Sequence, residues 1–122
     1  MPQRRQRTDK SFPTRTYSKK QESEVAKKLN GNCTSNSGAT AFQKSDVLTE
    51  KFALECKTKM SHSESITLHK EWLEKTDKES LFMGKPYSAL VFNFGPDEKN
   101  YYVIDEYLFQ DLIDYITSKE SQ

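Results

Sequence analysis

The sequence predicts a mixed α/β fold, in which a small mixed β-sheet is flanked by helices. Three observations support this class. Residues 52–58 alternate apolar and polar side chains with the period of a β-strand. Residues 87–94, "YSALVFNF", form an apolar run typical of a central strand. Between them, residues 65–83 carry apolar side chains at helical spacing, and Gly84 follows as a helix stop.

The first helix is predicted to begin at Ser18, an N-cap candidate with Gln21 three residues later, and to end within residues 30–32, "NGN". Its apolar positions share one face: Val25, Ala26 and Leu29. Glu22 lies three, four and seven residues before them and shares this inward face, whereas Glu24 takes its place if the helix is rotated. A carboxylate on a packing face is unusual, because a buried charge needs a partner.

A predicted hairpin follows the polar loop over residues 32–45. Its two strands are expected at Asp46–Leu48 and Phe52–Thr58. In the second strand one face is apolar: Phe52, Leu54 and Cys56. A two-residue connection would set Asp46 diagonal to Glu55, and a four-residue connection would set the two directly opposite. Either connection brings Asp46, Glu55 and Lys57 onto one face.

The C-terminal half supplies the remaining elements. The long helix carries a stripe that we interpret as packing: Leu68, Trp72, Leu73 and Thr76. After the apolar strand, a turn leads to a further strand, Tyr101–Ile104, and Asp105 is the N-cap candidate of a last helix. The apolar residues of that helix are Leu108, Phe109, Leu112, Ile113 and Ile116. The predicted order is α-β-β-α-β-β-α, in one domain of a chain of 122 residues.

Composition and charge limit the function classes. No apolar run approaches the ~20 residues needed to span a bilayer, and the N-terminus lacks the apolar segment of a secretory signal. Two unpaired cysteines indicate a reducing, cytoplasmic setting. Residues 1–20 hold seven basic side chains against Asp9, which gives +6, so the other 102 residues sum to −5. A basic, unstructured arm over residues 1–17 suits contact with phosphates, although a solubilising tail has the same composition.

The predicted site joins the hairpin residues Asp46, Glu55 and Lys57 with Glu22. Two carboxylates on adjacent strands suit a hard cation such as Mg²⁺, and the backbone carbonyl of Cys56 could complete the protein ligands. Such a cation activates water and neutralises charge on a phosphodiester. Lys57 could orient the attacking water or stabilise the pentavalent phosphorane. Each residue taken singly is more often a surface charge or half of a cross-strand ion pair, so the combination carries the prediction.

The pattern Asp46…Glu55-Cys-Lys57 resembles the PD-(D/E)xK nuclease superfamily. Further similar segments are Glu22 on the first helix, "SNSGA" at 35–39, "KSDV" at 44–47, "ECKTK" at 55–59 and "SITLHKEWLEK" at 65–75. The last of these, with the apolar strand after it, is similar to small Holliday junction resolvases and related phage nucleases. Ser45 stands where that family has proline or glycine. The resemblance covers about residues 18–116.

The resemblance implies a restriction-endonuclease-like core over residues 18–117, with a flexible tail at 118–122. It implies a metal-dependent, structure-selective DNA endonuclease that acts on Holliday junctions. The implied catalytic residues are Glu22, Asp46, Glu55 and Lys57. The implied ligands of Mg²⁺, or of Mn²⁺ in its place, are Asp46, Glu55 and Cys56. The expected DNA contacts are Arg4, Arg5, Arg7, Ser37 and Lys59. A resolvase cuts two strands symmetrically, so a homodimer is expected, in the host cytoplasm if a phage encodes the chain.

Three alternatives remain open at this point. Superfamily folds serve many substrates, so the chain could cut DNA ends, flaps or plain duplex. A catalytically silent DNA-binding module is a second alternative, against which the presence of all four catalytic residue types argues. A structural protein with an accidental motif is the third, and it predicts that Glu55→Ala alters stability alone. His62 and His69 lack a partner at ligand spacing and are expected at the surface.

Overall fold

The computed structural model describes residues 17–34 and 45–121, which form a five-stranded mixed sheet with three helices. Helix α1 covers residues 17–29. The later elements are β1 (Asn32–Cys33), β2 (Val47–Leu48), β3 (Phe52–Lys57), α2 (Lys70–Phe82), β4 (Tyr87–Phe92), β5 (Tyr101–Val103) and α3 (Glu106–Glu120). The mixed α/β class is therefore confirmed, and the structure adds the short strand β1 to the predicted order. The arm over residues 1–16 and most of the loop before the hairpin lie outside the described residues.

The strands lie side by side in their chain order, β1-β2-β3-β4-β5. All neighbouring pairs are antiparallel except β3 and β4, which are parallel over six residue pairs. A parallel pair needs a crossover connection, and α2 supplies it while packing on both strands. The opposite face of the sheet is covered by α1. The two central strands therefore have a helix on each side.

The apolar core lies between α1 and the sheet. Its buried members are Val25, Ala26, Val47, Leu54, Ala89 and Val91. Phe52 and Cys56 pack against this cluster, so the predicted apolar face of β3 is confirmed. On the α2 side the interior is mixed, because Leu90 and Ala53 are buried together with Glu55 and Glu79.

The end of α1 explains a strand that the sequence analysis missed. Asn30 adopts a left-handed conformation with φ of 57°, and the N–H of Gly31 donates to the carbonyl of Ala26 at 2.8 Å. A Cβ at Gly31 would lie 2.6 Å from the carbonyl oxygen of Leu48. The predicted stop is confirmed, but the loop prediction for residues 32 and 33 is wrong, because this tight ending returns the chain to the sheet edge. Ser18 lies inside the helix and is not its N-cap.

Helix α2 begins at Lys70 and not at residue 65 as predicted. The hydroxyl of Ser63 accepts from the N–H of Ser65 at 3.3 Å and donates to its carbonyl at 2.9 Å. These bonds compete with helix formation, and His69 remains extended with φ of −98° and ψ of 131°. The predicted stop is confirmed at Gly84, whose φ of 73° lets the N–H of Lys85 donate to Ser80.

Helix α3 is capped as predicted, since Asp105 Oδ1 accepts from the N–H of Leu108 at 2.9 Å. It runs to Glu120, beyond the predicted domain end at residue 117. Within Glu106–Glu120, Leu108 alone is buried. The rest of the predicted apolar face is 42–56% exposed: Phe109, Leu112, Ile113 and Ile116. No helix in the described part of the chain has the length and apolarity required to cross a membrane.

Candidate active site at the end of strand β3

The β2–β3 hairpin brings Asp46 beside Glu55. The pairs Val47–Leu54 and Leu48–Ala53 match the register of the four-residue connection. Asp46 directly precedes this ladder, and its backbone N–H donates to the carbonyl of Leu54 at 2.9 Å. Its carboxylate Oδ2 accepts from the backbone N–H of Cys56 at 2.8 Å. Asp46 is therefore bonded on both sides of Glu55, which fixes the two carboxylates as neighbours.

The turn residue Thr49 selects this register. Its backbone N–H donates to the carbonyl of Phe52 at 2.9 Å, which closes the hairpin. Its hydroxyl accepts from the backbone N–H groups of Lys51 at 3.3 Å and Phe52 at 3.0 Å. The Thr49 side chain thus stabilises one of the two hairpin connections that the hydrophobic pattern allows.

Helix α1 adds Glu22 to the same cluster. Val25 and Ala26 are buried against the sheet, and Glu22 one turn earlier is half-buried. Burial, together with the charges of Asp46 and Glu55, raises the pKa of Glu22 to about 7. Glu24 is exposed on another side of the helix. Of the two glutamates left open by the sequence, the structure brings Glu22 to the hairpin.

The pKa values show how closely these carboxylates are grouped. Burial raises the pKa of Glu55 to about 7, and the charge of Asp46 acts in the same direction. Burial also raises the pKa of Asp46, against the stabilising hydrogen bond from Cys56 and the charges of Lys57 and Lys75. Glu22 of α1 is thus near enough to the hairpin for the charges of Asp46 and Glu55 to act on its pKa. Perturbed carboxylates of this kind are concentrated at functional sites.

Lys57 lies beside this cluster, on the face of β3 that α2 covers. Its Nζ is 3.5 Å from Glu55 Oε2 and 4.5 Å from the centroid of the Trp72 ring. Its backbone carbonyl accepts from Gln21 Nε2 of α1 at 2.8 Å. The main chain and the side chain of Lys57 are therefore held by different layers of the fold.

Two charged residues of α2 complete the surroundings, and the sequence analysis missed both. Glu79 is buried, and its Oε1 accepts from the hydroxyl of Ser45 at 3.4 Å. Its Oε2 lies 3.9 Å from the Nζ of Lys75. Both charges act on the pKa of Glu55. The Lys-x-x-x-Glu spacing on one helix face was a usable signal, but only the crossover directs that face at β3.

Ser45 is buried and makes contacts that proline or glycine could not all make. It is completely shielded from solvent, and its carbonyl accepts a hydrogen bond from the Thr34 hydroxyl. Its own hydroxyl reaches Glu79 on α2. Proline or glycine at this position would lose the hydroxyl contact, so the serine connects β1, the hairpin and α2.

Of the five predicted DNA contacts, Lys59 is the one that lies within the described residues. Arg4, Arg5, Arg7 and Ser37 lie outside the described residues. Lys59 follows β3, and its Nζ donates to the hydroxyl of Ser63 at 3.2 Å. The histidines are exposed, as expected. His62 contacts Glu98, and the ring of His69 packs against Trp72.

The donor atoms at the site fit a hard divalent cation. Glu55 Oε1 is buried and has no hydrogen-bond partner among the described residues, so a ligand position is available there without loss of a protein contact. The predicted ligands, Asp46, Glu55 and the Cys56 carbonyl, all supply oxygen, and Mg²⁺ is usually held by one or two carboxylates. Within residues 17–34 and 45–121, no three or more His, Cys, Asp or Glu side chains converge on one metal position. The fit therefore depends on two carboxylates and a carbonyl.

Comparisons of this chain with protein-family models, with curated proteins and with solved structures found no match.

Proposed function

We propose that this chain is a metal-dependent DNA endonuclease of the PD-(D/E)xK kind, which hydrolyses phosphodiesters in branched DNA such as Holliday junctions. The observation that carries the proposal is the grouping of Glu22, Asp46 and Glu55 beside Lys57. Glu22 comes from a helix, and the other three residues come from the hairpin. Burial raises the pKa of all three carboxylates, and the charge of Asp46 also raises the pKa of Glu22 and Glu55. Such a grouping weakens the fold at neutral pH, which favours a functional explanation over a purely structural one.

The architecture is compatible with this reading. A mixed sheet with helices on both faces, in which a hairpin leads into a parallel βαβ crossover, is what a restriction-endonuclease-like core requires. The motif residues occupy β3 and the residue before β2, next to α1. The resemblance expects its catalytic groups on these elements.

Each residue has a defined part in the proposed reaction. Asp46, Glu55 and the Cys56 carbonyl would hold Mg²⁺, or Mn²⁺ in its place, which supplies an activated water and neutralises phosphate charge when bound. Lys57 directs its ammonium at the same region and stabilises the negative charge that develops on the phosphate. Glu22 would accept a hydrogen bond from the attacking water or would hold a second cation. Hydrolysis leaves a 5′-phosphate and a 3′-hydroxyl.

The substrate and assembly follow from the same proposal. Symmetric cutting of a junction requires a two-fold dimer. The exposed apolar side chains of α3 favour association, because a single helix gains little stability without a packed face. The basic arm, with Arg4, Arg5 and Arg7, together with Ser37 and Lys59, would contact phosphates, and affinity should then fall steeply with salt.

The test is cleavage of an end-labelled four-way junction beside a linear duplex of the same sequence, with Mg²⁺ and with chelator. The variant is Glu55→Gln, which keeps the shape of the side chain, and Glu24→Gln is the matched control on the exposed side of α1. We expect paired nicks in the junction alone. Glu55→Gln should lower the rate by roughly 1,000-fold, as removal of a catalytic group commonly does, and Glu24→Gln by less than about 3-fold.

The other outcomes are equally informative. Equal cutting of junction and duplex would keep the nuclease and remove the junction specificity. Binding of the junction without cleavage, unchanged by Mg²⁺, would indicate a DNA-binding module. Cleavage that survives Glu55→Gln would overturn the assignment of this site.

A further inference from the structure

We infer that Trp72 is a positioning residue for Lys57, which rests on the proposed nuclease function. The Nζ of Lys57 lies over the Trp72 ring, 4.5 Å from its centroid. On another side it faces Glu55 Oε2 at 3.5 Å. The ammonium is thus held between an indole face and a carboxylate, at the position where the proposed reaction needs a fixed positive charge.

The indole provides a restraint that Glu55 alone does not. A separation of 3.5 Å is too long for a good hydrogen bond between an ammonium and a carboxylate. A lysine side chain has a flexible four-carbon stem, and that of Lys57 is 31% exposed. A cation over tryptophan is attracted by the ring, more strongly than over tyrosine or phenylalanine. Trp72 therefore limits where the ammonium can move.

The ring itself is held by the first turns of α2. The backbone N–H of Trp72 donates to the carbonyl of His69 at 3.0 Å, and the hydroxyl of Thr76 donates to the carbonyl of Trp72 at 2.7 Å. The His69 ring packs edge-on against the indole, with centroids 4.6 Å apart. Because α2 begins at Lys70, five residues later than the sequence predicts, Trp72 lies in the first turn of the helix, where its ring meets Lys57 of β3.

The first experiment measures single-turnover cleavage of the four-way junction by the full chain with Mg²⁺. Trp72→Leu should lower the rate by roughly 10-fold, the loss expected for one cation–π contact, and leave the junction Kd within about 2-fold. Trp72→Phe keeps an aromatic face and should recover most of the rate. In a Lys57→Met background, Trp72→Leu should cause no further loss.

The second experiment requires no activity. Trp72 is the single tryptophan of the chain, so its fluorescence reports on this site alone. Iodide is an anion and acrylamide is neutral, so the ratio of their quenching constants measures the positive charge near the indole. Lys57→Met should lower that ratio by roughly half, because it removes the ammonium that lies over the ring. The matched control is Lys78→Met, an exposed lysine of the same helix, which should leave the ratio unchanged.

The outcomes separate this inference from the proposed function. An unchanged quenching ratio in Lys57→Met overturns the contact, even if the wild type cleaves DNA. An equal rate loss from Trp72→Leu with and without Lys57 assigns Trp72 a packing role and overturns the positioning role. Absence of cleavage by the wild type overturns the nuclease and the positioning role together, whereas a lowered quenching ratio would still establish the contact. Circular dichroism of Trp72→Leu and Trp72→Phe identifies any loss of folding.

Discussion

The two central strands, β3 and β4, are parallel neighbours, and yet they bury different kinds of side chain at paired positions. In β3, Glu55 pairs with Leu90 of β4, and Lys57 pairs with Phe92. Leu90 is fully buried and apolar, whereas Glu55 is almost as buried and carries a carboxylate. Both strands occupy the same layer between the same two helices. The carboxylate of Glu55 in β3 is therefore not a consequence of an exposed position.

This difference shows what each strand contributes to folding. Burial of a leucine side chain stabilises a fold by roughly 2 kcal/mol. Burial of Glu55 raises its pKa to about 7, which means that its ionised form is disfavoured in the folded chain. Burial of Leu90 in β4 therefore raises the free energy of unfolding, whereas burial of the ionised Glu55 in β3 lowers it. The following predictions test this contrast.

The largest effect on stability is expected in β4. Leu90→Ala should lower the free energy of unfolding by about 3 kcal/mol, because it removes a completely buried side chain and leaves a cavity. Glu55→Gln changes the residue that pairs directly with Leu90 in β3, and it should not lower the free energy of unfolding at pH 8. Urea unfolding of both variants, followed by circular dichroism, measures this difference. If Glu55→Gln destabilised the chain as much as Leu90→Ala, the contrast between the strands would be wrong.

A smaller effect is expected from pH. The raised pKa of Glu55 means that the folded chain holds more protons than the unfolded chain between its ordinary value of 4.5 and about 7. The associated stability is present below pH 4.5 and is lost as pH rises through about 7. Without metal, the free energy of unfolding should fall between pH 5 and pH 8 in both proteins. The fall should be larger in the wild type than in Glu55→Gln, by on the order of 2 kcal/mol.

Urea unfolding in chelator at pH 5 and pH 8 provides the measurement, and the difference between wild type and Glu55→Gln isolates this residue from other titrating groups. Mg²⁺ added at pH 8 should recover part of the lost stability, since a ligand that binds the folded state stabilises it. Identical pH dependence in the two proteins would contradict the burial of an ionisable Glu55.

The smallest effect is expected from Lys75, whose charge lowers the pKa of Asp46 and Glu55 against their burial. Lys75→Met should move the pH midpoint of cleavage, or of the stability loss, upward by less than about one unit. Lys78→Met on the same helix is the control. A downward shift, or an equal shift in both variants, would show that Lys75 does not act on these carboxylates.

Local patterns were sufficient for much of the site. The alternation in β3 separated Glu55 and Lys57 from the apolar face of Leu54 and Cys56, and helical spacing selected Glu22 as the inward glutamate. These inferences succeed because side-chain direction within a helix or strand depends on residues two to four positions apart. The part played by Glu22 in catalysis stays a prediction.

Long-range arrangements could not be obtained in this way. The two hairpin registers were equally compatible with the hydrophobic pattern, and Thr49 decides between them through its turn hydrogen bonds. The strand β1 was missed because it exists only as a partner of β2. Trp72 was interpreted as simple helix packing, since nothing within α2 indicates that Lys57 lies opposite.

The sequence by itself determined the mixed α/β class, the extents of most elements and the identity of the motif residues, because periodicity and helix stops are encoded locally. Only the tertiary structure decided that Asp46 and Glu55 are close enough to Glu22 to raise its pKa. It also decided that Lys75 and Glu79 of α2 act on Glu55, and that Trp72 of the same helix contacts Lys57. The distances among these groups depend on how α1 and the α2 crossover pack on the sheet. Packing of separate elements is a property of the whole chain, and no single segment specifies it.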